Sequence, residues 1–204
     1  MPQPPATPRL ARDSLIQFGA FVQGDGDVWP LALHLRWLPS YPALLRDAAL
    51  AVDPLIAAFP ADRVLTTVDG MPLGMALAAL AGRRVVYPYG AARDLPPAYA
   101  IEGAYDVGHP TVLLADVLLD APQAESIRAL AGRVGLEIVA VVAVVDLGLG
   151  AREALQAAGL RAASVFELRA ALALYEDAGL LTPAMRRTVE AWLDARRAAA
   201  SRPL

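Results

Sequence analysis

Two runs constrain this chain more than any other feature: TVLLADVLL at 111–119 and LEIVAVVAVVD at 136–146. Each is apolar at nearly every position and rich in β-branched or branched side chains. Strands that read apolar on both faces are covered on both, as in a parallel sheet between helices, and the second, more apolar run predicts a central strand. Between them Ile127, Leu130, Ala131 and Val134 recur at i, i+3, i+4 and i+7, with Gly135 placed to end a helix.

The same alternation extends along the chain. RVLTTV is a short strand, DGMP a turn, LGMALAALAG a helix closed by Gly82, and RVVYPY another strand. GAARDLPPAYAIEGAYDVG reads as a long irregular link. AREALQAAG is a short helix, RAASVFEL a last strand, and the tail one or two amphipathic helices broken near Thr182-Pro183. Upstream, SLIQFGAFVQ and VWPLALHLRWL flank the turn signal GDGD, and Leu31, Leu33, Leu35 and Trp37 alternate, which predicts a strand. Leu44, Leu45, Ala48, Ala49 and Val52 then mark a helix ending near Asp53-Pro54. The expected organisation is a disordered tail over 1–9 and a single domain over 10–204, with a hood at about 14–40, a core at about 41–170 and C-terminal helices at about 171–200.

Composition excludes several classes. With no cysteine there is neither a disulfide framework nor a thiolate nucleophile, and His34 and His109 alone do not suggest a histidine metal site; a carboxylate site stays open, with Asp69 as a minority reading, and no metal ligands are assigned. The net charge of −3 offers no basic face for nucleic acid. IVAVVAVV at 138–145 is too short to span a bilayer and MPQPPATPRL has no apolar signal core, so a cytoplasmic protein without membrane contact is expected. All 18 basic residues are arginine, as biased codon usage would give; a missing cation therefore informs only where something other than arginine stands in its place.

The order of these elements, with FGAFVQGDGDVWPLALHL, DGMPLGMALA, YPYGAARDLPPAYAIEGAYDVG, VLLADVLLDAPQAESIRAL and VVDLGLGAREALQAAGLRAASVFEL in register, resembles the type I phosphoribosyltransferases, and among them orotate phosphoribosyltransferase. The resemblance covers about residues 14–175 and implies a parallel α/β sheet with a small N-terminal hood, a C-terminal helical extension and a homodimer. In that family two strand-end carboxylates hold the ribose of phosphoribosyl pyrophosphate, and a loop of small and hydroxylic residues wraps its 5′-phosphate at a helix N-terminus. Such a loop needs converging N–H donors, close backbone approach and no fixed negative charge.

Here the first carboxylate position is Ala115 and only Asp116 remains, while the loop becomes Leu119, Asp120, Ala121, Pro122 and Gln123. Leucine offers no hydrogen bond, Pro122 removes an amide, and like charges about 4 Å apart cost roughly 1–4 kcal/mol at dielectrics of about 80 to 20. Pro122 nevertheless suits a first helical turn. Of the mobile-loop cations Arg93 alone survives, with Tyr89 and Gly90 at two others; Asp69 precedes Gly70 where the family has lysine, and Gly24 or a neighbour replaces another. Leu147 stands for the arginine that binds the base carboxylate, and Leu31 to Leu33 for its aromatic contacts.

The resemblance thus implies a divergent, non-catalytic relative that retains the dimeric scaffold for binding, regulation or assembly. No cofactor is then required. The alternative is an active phosphoribosyltransferase, using phosphoribosyl pyrophosphate with Mg²⁺, in which Asp116 and Arg93 carry catalysis and Asp116, Asp120, Ala121, Gln123, Asp69 and Gly70 form the ligand site. A third reading pairs the chain with a catalytically intact homologue. Asp116 reads about equally as a ribose ligand or a solvated strand end, and the ligand habit of open α/β sheets favours the former slightly. Asp120 reads as a loop residue or helix cap, Asp69-Gly70 and GDGD as turns, and His34 as a structural polar group. Trp29, Trp37, Tyr87, Tyr89 and Tyr99 suit core or interface.

Overall fold

The computed structural model describes residues 6–24, 26–88, 101–120, 122, 123, 126, 129 and 135–200. Its centre is a six-stranded sheet built from β3 (Arg63–Thr66), β4 (Val85–Pro88), β5 (Ile101–Glu102), β6 (Pro110–Asp120), β7 (Glu137–Leu149) and β8 (Arg161–Glu167) in the order β5-β4-β3-β6-β7-β8. All neighbours pair in parallel except β4 with β5. β3 and β6 hold the middle; β7, expected there for its apolarity, lies one place out and has β8 beyond it. Both are still covered on two faces. Val112 and Leu114 of β6 and Ala140 and Val142 of β7 join one core, while Leu113, Ala115, Val141 and Ala143 join the other.

The larger core lies under the hood hairpin, β1 (Ile16–Val22) with β2 (Val28–Leu33), and the helices α1 (Ala6–Arg12), α2 (Pro42–Ala57), α3 (Met71–Ala81), α5 (Leu168–Asp177) and α6 (Pro183–Ala200). The smaller core includes Ala151 and Leu155 of α4 (Ala151–Ala157). α3 ends as expected at Gly82, whose φ of 66° is the left-handed conformation that glycine adopts without strain. α6 begins at Pro183, where proline gives up no intrahelical bond. It packs on the hood through Trp192 and Trp29, whose ring centroids lie 4.9 Å apart, with Arg196 over both rings and ion-paired to Asp27.

Four local expectations change. The prolines of the first ten residues predict no regular structure, yet α1 starts at Ala6, held by fully buried Leu10 and by Arg9 Nη1 donating to Asp47 Oδ2 of α2 at 2.7 Å. β2 stops at Leu33, and Leu35–Ser40 forms a 3-10 turn that buries Leu35 and Leu38 and leaves Trp37 exposed. The alternating leucines satisfy both geometries, because i, i+3 spacing also puts Leu35 and Leu38 on one side of a 3-10 turn. α2 continues through Pro54, with Ile56 buried below and Asp53 bound to Arg83 Nε at 2.6 Å. Finally, β7 runs on into the glycine-rich GLG as far as Leu149, which still pairs with Asp120 at the end of β6. The helix expected over 127–134 lies outside the described residues, apart from helical backbone at Ala129 and, just before it, at Pro122, Gln123 and Ser126.

The turn at 68–70 lies flat on β6. Thr67 N donates to Leu114 O at 3.0 Å, and a Cβ on Gly70 would sit 3.0 Å from that same oxygen. One turn further, a Cβ on Gly74 would meet Thr66 Cγ2 at 2.3 Å, so α3 approaches β3 as closely as it does only because residue 74 has no side chain. Gly74→Ala should therefore lower the unfolding free energy by about 1–3 kcal/mol in urea, the usual cost of overpacking. Adding Thr66→Ser, which deletes the offending methyl, should recover most of that loss; no recovery would mean that the clash is relieved elsewhere.

Candidate functional site

The carboxyl ends of β3, β6 and β7 bring the expected site positions to one edge of the sheet. Asp116 lies partly buried on β6, in line with Val112 and Leu114 and hence on the side covered by the hood, α2 and α3. Burial, then the nearby charge of exposed Asp69, push its carboxyl up from the ordinary 3.8 to about 6; the backbone N–H groups of Val117 and of Asp116 itself, and the Arg36 guanidinium, oppose the rise. Asp116, Asp69 and Arg36 thus form one electrostatic group. Gly70 is buried beside them, with its N–H donated to Thr67 Oγ1 at 3.0 Å.

Arg36 escapes a motif search because it falls at none of the family's cation positions. Its only sequence signal is that it is the one basic residue between Arg12 and Arg46. It also lines a cavity of about 310 Å³ beneath the hood with Phe21, Trp29, Leu31, Leu33 and His34. Leu31 to Leu33, the positions expected to face a base, therefore border this open space. His34 stacks flat on Trp37, with centroids 4.0 Å apart and planes 7° from parallel, which gives this histidine a packing role.

The loop after β6 is closed on itself. Asp120 Oδ1 accepts the backbone N–H of Gln123 at 3.0 Å, a side-chain cap at the start of the helical turn. The Gln123 side chain folds back, accepting the Leu119 N–H through Oε1 at 2.8 Å and donating from Nε2 to Val117 O at 3.0 Å. The amides that an anion would need at 119 and 123 thus already have acceptors from within the loop, one of them a carboxylate. Pro122 has no N–H to offer. Among the described loop residues, the amides of Leu119 and Gln123 are therefore already engaged.

Asp146 at the end of β7 is buried, and an isolated buried charge is costly unless paired. Its Oδ1 accepts the Gly148 N–H at 2.8 Å and its Oδ2 the Arg152 Nε–H at 2.9 Å, while Arg152 also donates to Ala162 O and Ser164 Oγ, both at 3.0 Å. This arginine is committed to tying α4 to β8. Leu147, where the family's base-binding arginine would stand, is buried in the larger core. Arg93, Ala121, Tyr89, Gly90 and Tyr99 lie outside the described residues; Tyr87 is partly buried on β4 and Trp29 packs on Trp192. Among the described residues no group of three or more His, Cys, Asp or Glu side chains could hold a metal ion, and no helix is long and apolar enough to cross a membrane.

The raised carboxyl of Asp116 has a definite pH signature. The folded chain binds this proton more tightly than the unfolded chain, so the contribution to stability is full below the ordinary 3.8 and is lost as pH rises through about 6. Asp116→Asn should thus stabilise the protein above pH 6, by about 3 kcal/mol at most and by less to the extent that water reaches the group. The gain should vanish near pH 4. Urea unfolding of both proteins at about pH 4 and about pH 8 measures it; an equal difference at both would exclude the carboxyl as its source.

No family model matches the chain. It is 25% identical over 171 residues to the bifunctional enzyme PyrF/PyrE of Nostoc sp., a match that covers 80% of this chain and 35% of that enzyme. The fold is similar to that of Leishmania donovani UMP synthase, with a TM-score of 0.81 and 26% identity over 93% of this chain and 42% of that one. Mycobacterium tuberculosis orotate phosphoribosyltransferase superposes with a TM-score of 0.68 and 24% identity, covering 82% of this chain and 99% of that one. The chain spans about a third of the bifunctional enzyme and less than half of the UMP synthase. The order of its strands and these similarities show that the chain has the type I phosphoribosyltransferase fold and is similar to orotate phosphoribosyltransferase and UMP synthase chains.

Proposed function

We propose that this chain is a non-catalytic relative of orotate phosphoribosyltransferase, a cytoplasmic protein that keeps the scaffold and uses it for binding, regulation or assembly. One observation carries the reading: the loop that would surround a 5′-phosphate is occupied by its own side chains, Asp120 on the Gln123 amide and Gln123 on the Leu119 amide. A phosphate entering there would have to displace both acceptors and then lie against the Asp120 carboxylate. The buried Leu147 and the commitment of Arg152 to Asp146 and β8 support the same reading for the base end of the site.

Calorimetric titration with phosphoribosyl pyrophosphate and Mg²⁺ tests it. The expected result is absent or millimolar binding. Micromolar binding abolished by Asp116→Asn would overturn the reading and favour its alternative, an active phosphoribosyltransferase in which Asp116 holds the ribose and Arg93 the pyrophosphate.

Assembly belongs to the same proposal, as a homodimer or as a pair with a catalytically intact homologue. It is supported by exposed large apolar side chains on two helices that pack on each other, Leu50 of α2 and Met75 and Leu80 of α3, beside exposed Val68. Apolar groups so placed are commonly covered by a partner. Sedimentation velocity should give a dimer for the purified chain, and Met75→Glu should shift it towards monomer by at least about tenfold in dissociation constant. A wild-type monomer that also co-purifies with no homologue would remove the assembly role.

A further inference from the structure

At the end of the sheet opposite Asp116, a polar cavity of about 280 Å³ opens at the starts of β3 and β4, lined by Asp62, Arg63, Gly82, Arg83 and Arg84 with Ile56 at its side. Its construction follows from the chain. Gly82 turns out of α3 in the left-handed conformation, with nothing within 4 Å of the space a Cβ would fill, and delivers Arg83 and Arg84 consecutively to the head of β4. Val64 N donates to Arg84 O at 2.9 Å, which locks the two strand starts side by side.

The three guanidiniums are balanced differently. Arg83 is neutralised by Asp53, which it reaches at 2.6 Å. Among the described residues Arg63 is held by carbonyls, donating from Nε to Ala104 O at 2.9 Å and from Nη1 to Asp62 O at 3.0 Å; these bonds orient the group without cancelling its charge. Arg84 is exposed and has neither an ion pair nor a side-chain hydrogen bond among the described residues. Against them stands the exposed Asp62 carboxylate. After the Arg83–Asp53 pair is set aside, two cations face one anion, in a cavity whose surface is mostly polar. A guanidinium fixed by backbone contacts, as Arg63 is, binds planar or tetrahedral oxyanions through paired N–H donors with little ordering cost, and exposed Arg84 beside it supplies the second charge.

We propose that this cavity is a second binding site, separate from the Asp116 edge, for a small multiply charged oxyanion held between Arg63 and Arg84. The ligand chemistry is that of a phosphate or a polycarboxylate. It is independent of whether the Asp116 edge binds anything, because the two sites lie at opposite ends of the parallel strands.

Titration of the full chain at low ionic strength, by calorimetry or amide chemical shifts, with inorganic phosphate and in parallel with citrate, tests the site. At least one anion should bind saturably, with the shifts centred on residues 62–64 and 82–84. Arg84→Gln should weaken it at least about tenfold, and Arg84→Glu should abolish it, whereas Arg46→Gln on α2 should leave it unchanged. Saturation by phosphate identifies a phosphate-bearing ligand, and saturation by citrate alone a polycarboxylate. Three results would overturn the site: neither anion saturating up to about 10 mM, affinity unchanged in Arg84→Glu, or shifts centred on residues 119–123 instead.

Discussion

The parallel pairing of β6 with β7 is the constraint from which the rest follows. It runs from Pro110 opposite Glu137 to Asp120 opposite Leu149, longer than any other ladder in the sheet. Buried backbone amides and carbonyls must find partners, and two strands without polar faces can find them only in each other and in flanking strands. Alternate side chains then build two cores at once, one under the hood and α2, the other against α4. The same register carries Asp116 and Asp146 to one edge of the sheet. Their proximity to that edge is thus a consequence of strand length, and what each does there depends on the neighbours that later elements bring.

Those neighbours separate the two aspartates. Asp146 receives Arg152 from α4 and becomes a buried, fully engaged ion pair. Asp116 is buried, with Asp69 of the β3–α3 turn as a nearby like charge and Arg36 as a weaker opposing one, so its proton is held to about pH 6. The loop beyond is different again. An N–H donor with an acceptor on its own loop needs no ordering of a second molecule to satisfy it, and Asp120 and Gln123 supply such acceptors at 3.0 and 2.8 Å. An anion would have to compete with both. Helical backbone at Pro122 and Gln123 is capped from within the chain, by Asp120.

Much of this was legible in advance, and the failures share a cause. Strands β1, β3, β4, β6 and β8, the Gly82 stop and the Pro183 start depend on local pattern and fall where pattern puts them, whereas β5 lies within the stretch expected to be irregular. α1, the 3-10 turn at Leu35–Ser40 and the passage of α2 through Pro54 oppose local preference, and each is held by contacts far away in sequence: Arg9 to Asp47, Leu35 and Leu38 in the core, Asp53 to Arg83. In the site, the loss of a hydrogen-bonding side chain at Leu119 and of an amide at Pro122 could be read from residue type alone. The fold-back of Gln123 and the approach of Arg36 to Asp116 could not, since neither follows from spacing.

By itself, then, the sequence determined the order of strands and helices, the burial of β6 and β7 on both faces, and the lack of a hydrogen-bonding side chain at Leu119 and of an amide at Pro122, because each rests on periodicity or on the donors a residue type possesses. Tertiary structure alone decided which charges meet. It set Asp69 and Arg36 around Asp116, spent Arg152 on Asp146, and left Arg63 and Arg84 uncompensated at the opposite end of the sheet. Electrostatic interaction falls with distance and with solvent access, and both are fixed only when separate elements, such as β3 and β6, are brought side by side in the register that burial imposes.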